Sequence, residues 1–279
     1  DVHLPDNVDF WGVRREIRHG EHGSYAHVVH APLEDAQNLD EARRYRFPVA
    51  QELFDFSQLE ERARELGRGG RYYLFTEVES VFDRTMKLRG MEVFLMDLVD
   101  KPEMAHYLIE QNARFFYERT RMLLEAARGT VDCVMICNDF GTQQGLLISP
   151  QMYRDYVKPH QLRLVRLAHE HGVHVLYHSC GRVAKLYPDL LEIGVDIIDP
   201  LQFAALELGP EELRRRFPDA NFHGGLDTQH VLPFAEPKAV RAEVRRLAGA
   251  LAANGHYIFS TSHNIQGGVP VENLVAMVE

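Results

Sequence analysis

The 279-residue chain predicts an α/β fold of the (β/α)8 TIM-barrel type, and three observations carry that prediction. Short strand-like runs alternate with helical periods from about residue 57 onward, the pattern of βα units in a parallel sheet. The runs themselves, such as Val134-Met135-Ile136 and Val195-Asp196-Ile197-Ile198, suit strands covered on both faces. The competing doubly wound sheet needs a glycine-rich phosphate loop after its first strand. No G-x-G-x-x-G or Walker-type segment occurs.

In chain order, strands are predicted at 71–76, 131–137, 173–178, 195–198, 221–224 and 257–261. Helices are predicted at 57–66, 91–99, 102–128, 150–171, 182–193, 209–216, 237–253 and 270–279. Several boundaries have local causes. Ser149-Pro150 reads as an N-cap followed by proline at the first helical position, and Glu236-Pro237 is a similar entry. His171-Gly172 and Ile193-Gly194 place glycine where a helix should stop. Six strands fall short of the eight a barrel needs. Either two lie hidden in residues 1–56, or an N-terminal segment is missing from this chain. A single domain over 1–279 is expected, with 1–56 its less regular part.

Composition narrows the function classes. A formal net charge of −10 argues against general phosphate-backbone binding, so no nucleic-acid partner is expected. No apolar run reaches about 18 residues, the length a spanning helix needs. The opening Asp1-Val2-His3-Leu4-Pro5 is polar and shows no signal peptide. Three cysteines are a poor disulfide framework and fit a reducing, cytoplasmic setting. A homodimer is compatible with the chain.

In a barrel the chemistry sits where strands end. Those positions hold Glu77, Glu79 and Asp83; then Asn138, Asp139, Gly141, Thr142 and Gln143; then His178 and Cys180. Asp199 and Gln202, His223, Asp227 and Thr228, and Ser260, Ser262, His263 and Asn264 follow at the later strands. His178 and Cys180 close the fourth helix-flanked strand. Period-two alternation points them the same way, as an imidazole and a thiolate suited to zinc. The other reading is a hydrogen-bonded core histidine beside an inert cysteine. Asp139 could be a turn cap and Asp227 could simply stabilise its turn. Cys133 and Cys137 read as structural thiols, and the arginines at 214–216 and 241–246 as a solvated face.

The segments His178-Ser-Cys-Gly-Arg and Leu186-Tyr-Pro-Asp-Leu-Leu-Glu-Ile-Gly-Val-Asp-Ile-Ile-Asp-Pro-Leu-Gln202 resemble the uroporphyrinogen decarboxylase superfamily. So do Asn138-Asp-Phe-Gly-Thr-Gln, Leu147-Ile-Ser-Pro, His223-Gly-Gly-Leu-Asp, His263-Asn-Ile-Gln and Pro270-Val-Glu-Asn. The resemblance runs from about residue 50 to the end. It implies a (β/α)8 barrel and two activities. One is decarboxylation of a tetrapyrrole in haem and porphyrin biosynthesis. The other is zinc-dependent methyl transfer between a small methylated substrate and a corrinoid protein or thiol.

The His-x-Cys-Gly motif resembles the methyltransferase branch, whose His and Cys bind zinc. That branch commonly adds a third Cys near the last strand, whereas this chain has no Cys after 180 and carries Ser262 and His263 there. The expected metal ligands are therefore His178, Cys180 and His263, with a carboxylate of Asp83, Glu79 or Asp139 as the other candidate third ligand. Asp139, Asp227 and His263 are expected in catalysis. Asp83, Asn138, Gln143 and Gln202 are expected against the substrate. Zinc is the expected cofactor, and a corrinoid would be carried by a partner protein. The decarboxylase reading needs no metal. It would use Asp139 or Asp227 on the pyrrole NH groups and His263 or Tyr153 on a carboxylate. The decarboxylases also carry an arginine-rich N-terminal motif that Arg14-Arg15 matches poorly. A third reading is a tetrapyrrole- or corrinoid-binding module without turnover.

Overall fold

A computed structural model describes residues 7–20, 23–67 and 69–279. The polar opening Asp1-Val2-His3-Leu4-Pro5 lies outside the described residues. The rest groups into two compact units, one drawn from Asp1–Asn138 and Ile148–Val173, the other from Asp139–Leu147 and His174–Glu279.

The first unit begins with strands β1 (Arg14–Gly20) and β2 (Gly23–His30), paired antiparallel. Residues 1–56 thus do hold two strands, but these pair with each other and add nothing to a parallel sheet. The cause is their polarity. Arg-Arg-Glu-Ile-Arg-His-Gly is exposed at nearly every position and cannot line a core. Short helices α1 (Leu39–Ala42) and α2 (Ala50–Leu53) follow, then α3 (Leu59–Gly67). Strand β3 (Phe75–Val78) leads into α4 (Val81–Arg89), α5 (Met91–Asp100) and the long α6 (Pro102–Ala127). Strand β4 (Cys133–Cys137) runs parallel to β3. Helices α7 (Pro150–Tyr156) and α8 (Lys158–Glu170) complete the unit. The single helix expected over 150–171 breaks at Val157, because Pro159 lacks an N–H and disfavours helical geometry just before it.

Trp11 ties the irregular N-terminal part down. It is 1% exposed, its ring centroid lies 4.6 Å from that of Phe115 on α6, and the Arg84 guanidinium sits 5.2 Å over it. Helix α4 escaped sequence reading because its buried face includes two arginines. Arg84 donates to Asp9 (2.7 Å) and to Glu79 (3.2 Å from Nε). Arg89 donates to Asp97 at 2.6 Å and to the carbonyls of Leu33 (2.5 Å) and Glu34 (2.7 Å). Guanidinium groups can enter a core only when paired in this way. Burial alone would raise Asp9 and Glu79, but the Arg84 bonds and charge hold both below their usual range.

The second unit contains four parallel strands: β5 (His174–His178), β6 (Ile197–Leu201), β7 (Asn221–Gly224) and β8 (Tyr257–Ile258). Among the described residues the parallel strands number six, at the six predicted places. Helix α9 (Tyr187–Glu192) starts at Pro188 after a short 3-10 turn, which shortens the helix expected at 182–193. Helices α10 (Pro210–Arg216), α11 (Val231–Phe234), α12 (Pro237–Leu251) and α13 (Val271–Val278) cover the strands' flank. Arg215 and Arg216 are exposed as expected, but Arg214 turns inward. It donates to the carbonyls of Ala220 (2.8 Å), His256 (2.7 Å) and Leu251 (3.0 Å).

Candidate metal centre

Parallel pairing sets His178, the last residue of β5, level with Asp199 on β6. His178 Nδ1 lies 2.5 Å from Asp199 Oδ2, and His223 Nδ1 on β7 bonds the other oxygen, Oδ1. Asp199 has a buried side chain. Burial alone would raise its carboxyl, but the bonds from His178 and His223 hold it below the usual range. A carboxylate has no proton to give, so both imidazoles donate from Nδ1. That commits His178 to offering Nε2, which lies 3.4 Å from Cys180 Sγ. Burial acts against charge on His178, but Asp199 and the Cys180 sulfur outweigh it and push the imidazole up to about 10.

Cys180 lies just beyond the strand, so its placement depends on the loop at 139–147. Asp139 Oδ1 accepts the Cys180 backbone N–H at 2.9 Å. Ser179 Oγ accepts the Phe140 N–H at 3.0 Å, and Arg182 N–H donates to the Thr142 carbonyl at 2.9 Å. Gln202 Oε1 accepts the Gly181 N–H at 2.8 Å. Two glycines let these backbones touch. A Cβ on Gly141 would sit 2.3 Å from the Cys180 carbonyl oxygen, and one on Gly181 would sit 2.6 Å from the Gly141 carbonyl carbon. Gly181 also has φ of +82°, a left-handed conformation that glycine adopts freely.

His263 comes from the loop after β8. Its neighbours anchor it: Ser262 N–H donates to the Leu226 carbonyl at 2.7 Å, and Thr261 Oγ1 donates to the His263 carbonyl at 2.6 Å. The His263 and His178 ring centroids lie 6.2 Å apart. One donor atom from each of His178, Cys180 and His263 falls within 4.8 Å of the others. The residues fit zinc. Two imidazoles and one thiolate are a zinc donor set, and a tetrahedral ion with ordinary bond lengths would hold its N and S donors about 3.5 Å apart. The observed Nε2–Sγ distance of 3.4 Å is close to that value. An Asp-bound Nδ1 is the usual means of fixing a metal-binding imidazole.

The other predicted site residues are placed as follows. Asp139 is more than half exposed, with Oδ1 4.0 Å from His178 Nε2. Asp227 caps its own turn, accepting from the N–H groups of Gln229 (2.6 Å) and His230 (3.0 Å). Gln202 reaches Gln229 as well as Gly181, and Gln143 is exposed in the 139–147 loop. Asp83 lies in the first turn of α4 and Asn138 is buried against Ser80, both within the first unit. Glu79 is engaged by Arg84 and Lys87. Asp199 and His223 were legible only as strand-end polar residues. Nothing in their spacing shows that one carboxylate joins two imidazoles from neighbouring strands.

Comparison with known proteins agrees with this architecture. The chain is 31% identical to a uroporphyrinogen decarboxylase of Thermus thermophilus over 137 residues, 47% of this chain and 37% of that protein. It is 28% identical to the methylated-thiol–coenzyme M methyltransferase of Methanosarcina mazei over 181 residues, 63% of this chain and 44% of that protein. The matched stretches thus cover less than half the length of these relatives. A solved methyltransferase structure from Methanosarcina mazei superposes with a TM-score of 0.67 at 18% identity, covering 96% of this chain and 74% of the other. That likeness shows the fold, an α/β barrel of the TIM type. The sequence profile of the uroporphyrinogen decarboxylase (URO-D) family matches residues 20–279, so the chain belongs to that family.

Proposed function

We propose that this protein is a zinc-dependent methyltransferase that moves a methyl group between a small methylated substrate and a corrinoid protein or a thiol. The observation that carries this reading is the convergence of His178, Cys180 and His263 donors, with His178 oriented by Asp199. A tetrapyrrole decarboxylase has no need of a thiolate aligned with two imidazoles. The methylated-thiol methyltransferase of Methanosarcina mazei supports the same reading.

Zinc, when bound, would act as a Lewis acid that makes a thiol or hydroxyl a better nucleophile or leaving group near neutral pH. The chain's own residues do the rest. Asp199 holds the His178 ring and its tautomer. Asp139, through the Cys180 N–H, sets the position of the sulfur. Three protein donors leave a fourth tetrahedral direction for substrate. A thiol ligand outside a disulfide supports a reducing setting such as the cytoplasm.

The test is metal content of the purified protein beside His178→Ala, Cys180→Ser and His263→Ala. Near-stoichiometric zinc, lost in all three variants, is the expected result. Protein without metal that decarboxylates uroporphyrinogen would sink the reading.

A further inference from the structure

His223 has so far only one role, as the second imidazole on Asp199. Its position allows more. The β6–β7 register pairs Ile198 with Phe222 and Leu201 with Gly224, which sets His223 beside the Asp199-Pro200 step. His178 flanks the same step from β5. Three adjacent strands therefore end in His178, Asp199 and His223 at one level. Asp199, with 8% of its side chain exposed, is far more enclosed than His223, at 28%. The Nδ1 proton of His223 is committed to Asp199, so a neutral ring carries its lone pair on Nε2. Nε2 has no hydrogen-bond partner among the described residues.

A substrate thiol or hydroxyl that is to act as a nucleophile must first lose its proton. The proposed ligands cannot take it, because their lone pairs would face the metal. Both oxygens of Asp199 already accept an Nδ1–H. Imidazole is the side chain best suited to exchanging a proton near neutral pH, and an imidazole backed by a buried carboxylate is stabilised when it becomes charged.

We infer that His223 is the proton acceptor of this centre and that its substrate is a neutral thiol. The inference rests on the methyl-transfer reading above. In the step, the S–H bond breaks and its electron pair stays on sulfur. The proton moves to His223 Nε2. The resulting imidazolium keeps its Nδ1–H on Asp199, whose negative charge offsets the new positive one. No oxidant or reductant is involved.

The experiment is calorimetric titration of the zinc-loaded protein with 2-mercaptoethanol in two buffers of different ionisation enthalpy, which counts protons exchanged. His223→Gln keeps an N–H for Asp199 but cannot take the proton. Wild type is expected to bind thiol with almost no proton release, and His223→Gln to release about one proton per thiol. Equal release from the two proteins overturns the role of His223. Wild type that holds zinc yet binds no thiol overturns the substrate class. Wild type that holds no zinc refutes the ligand set instead, which separates the two failures. Should His223→Gln not fold, two-bond 1H–15N correlation spectra of the wild-type histidines give an independent answer. A His223 ring protonated at Nδ1 supports the inference, and one protonated only at Nε2 overturns it.

Discussion

Replacing Gly141 by alanine tests whether close backbone contact holds the metal centre in place. The added Cβ would lie 2.3 Å from the Cys180 carbonyl oxygen, 2.7 Å from Val183 Cγ1 and 2.8 Å from the Arg182 nitrogen. Two of these three atoms are backbone, so no side-chain rotation relieves the collision. The loop at 139–147 must move off the Cys180 segment, and the Asp139–Cys180 bond of 2.9 Å goes with it. Forcing atoms into a packed region costs about 1–3 kcal/mol. At roughly 2–4 °C per kcal/mol, the melting temperature should fall by about 2–12 °C. Zinc affinity should fall about 10–100-fold, the usual effect of disturbing the groups that orient metal ligands. Gly145→Ala is the internal control, since its Cβ would meet nothing within 4 Å in the same loop. It should change stability by no more than about 0.5 kcal/mol. Differential scanning calorimetry and competition with a chromogenic chelator read both quantities. Wild-type melting and zinc affinity in Gly141→Ala would refute the reasoning.

Three other perturbations probe separate parts of the molecule. Asp199→Asn turns one acceptor into a donor facing an imidazole N–H, and chelator competition should show zinc affinity down by about 10–100-fold. Arg84→Met leaves Asp9 and Glu79 without their shared cation, and denaturant unfolding at pH 7 should show a loss of about 3–5 kcal/mol. The same pair sets a pH signature. Both folded-state carboxyls lie below their ordinary values of 3.8 and 4.5, so their stabilisation is present above those values and fades as pH falls below them. Arg84→Met should show the opposite slope there, gaining stability as the uncompensated carboxylates take up protons. Tyr187 is fully buried with no partner for its hydroxyl, so Tyr187→Phe should stabilise the protein by about 1–3 kcal/mol in the same assay.

The places of all six parallel strands were legible in the sequence, because apolar runs bounded by glycine and polar strand ends are local signals. The break at Val157 was also written locally, in Pro159, though a continuous periodicity masked it. Helix α4 was not legible. Its core face contains Arg84 and Arg89, whose charges are balanced by Asp9, Glu79 and Asp97 from elsewhere in the chain. The hairpin β1–β2 was hidden for a related reason: its pairing is with itself, and its exposed polar residues show no alternation that marks a buried face.

By itself the sequence determined the His178–Cys180 pair, since strand periodicity puts residues two apart on one side. It also named His263 as a candidate partner by its position after the last strand. Only the tertiary structure decided that these three donors converge, that Asp199 is shared by His178 and His223, and that Gly141 and Gly181 allow the loop to hold Cys180. The physical reason is range. Periodicity and capping act over a few residues, whereas a donor set assembled from β5, β6, β7 and the loop after β8 depends on strand register and close backbone approach.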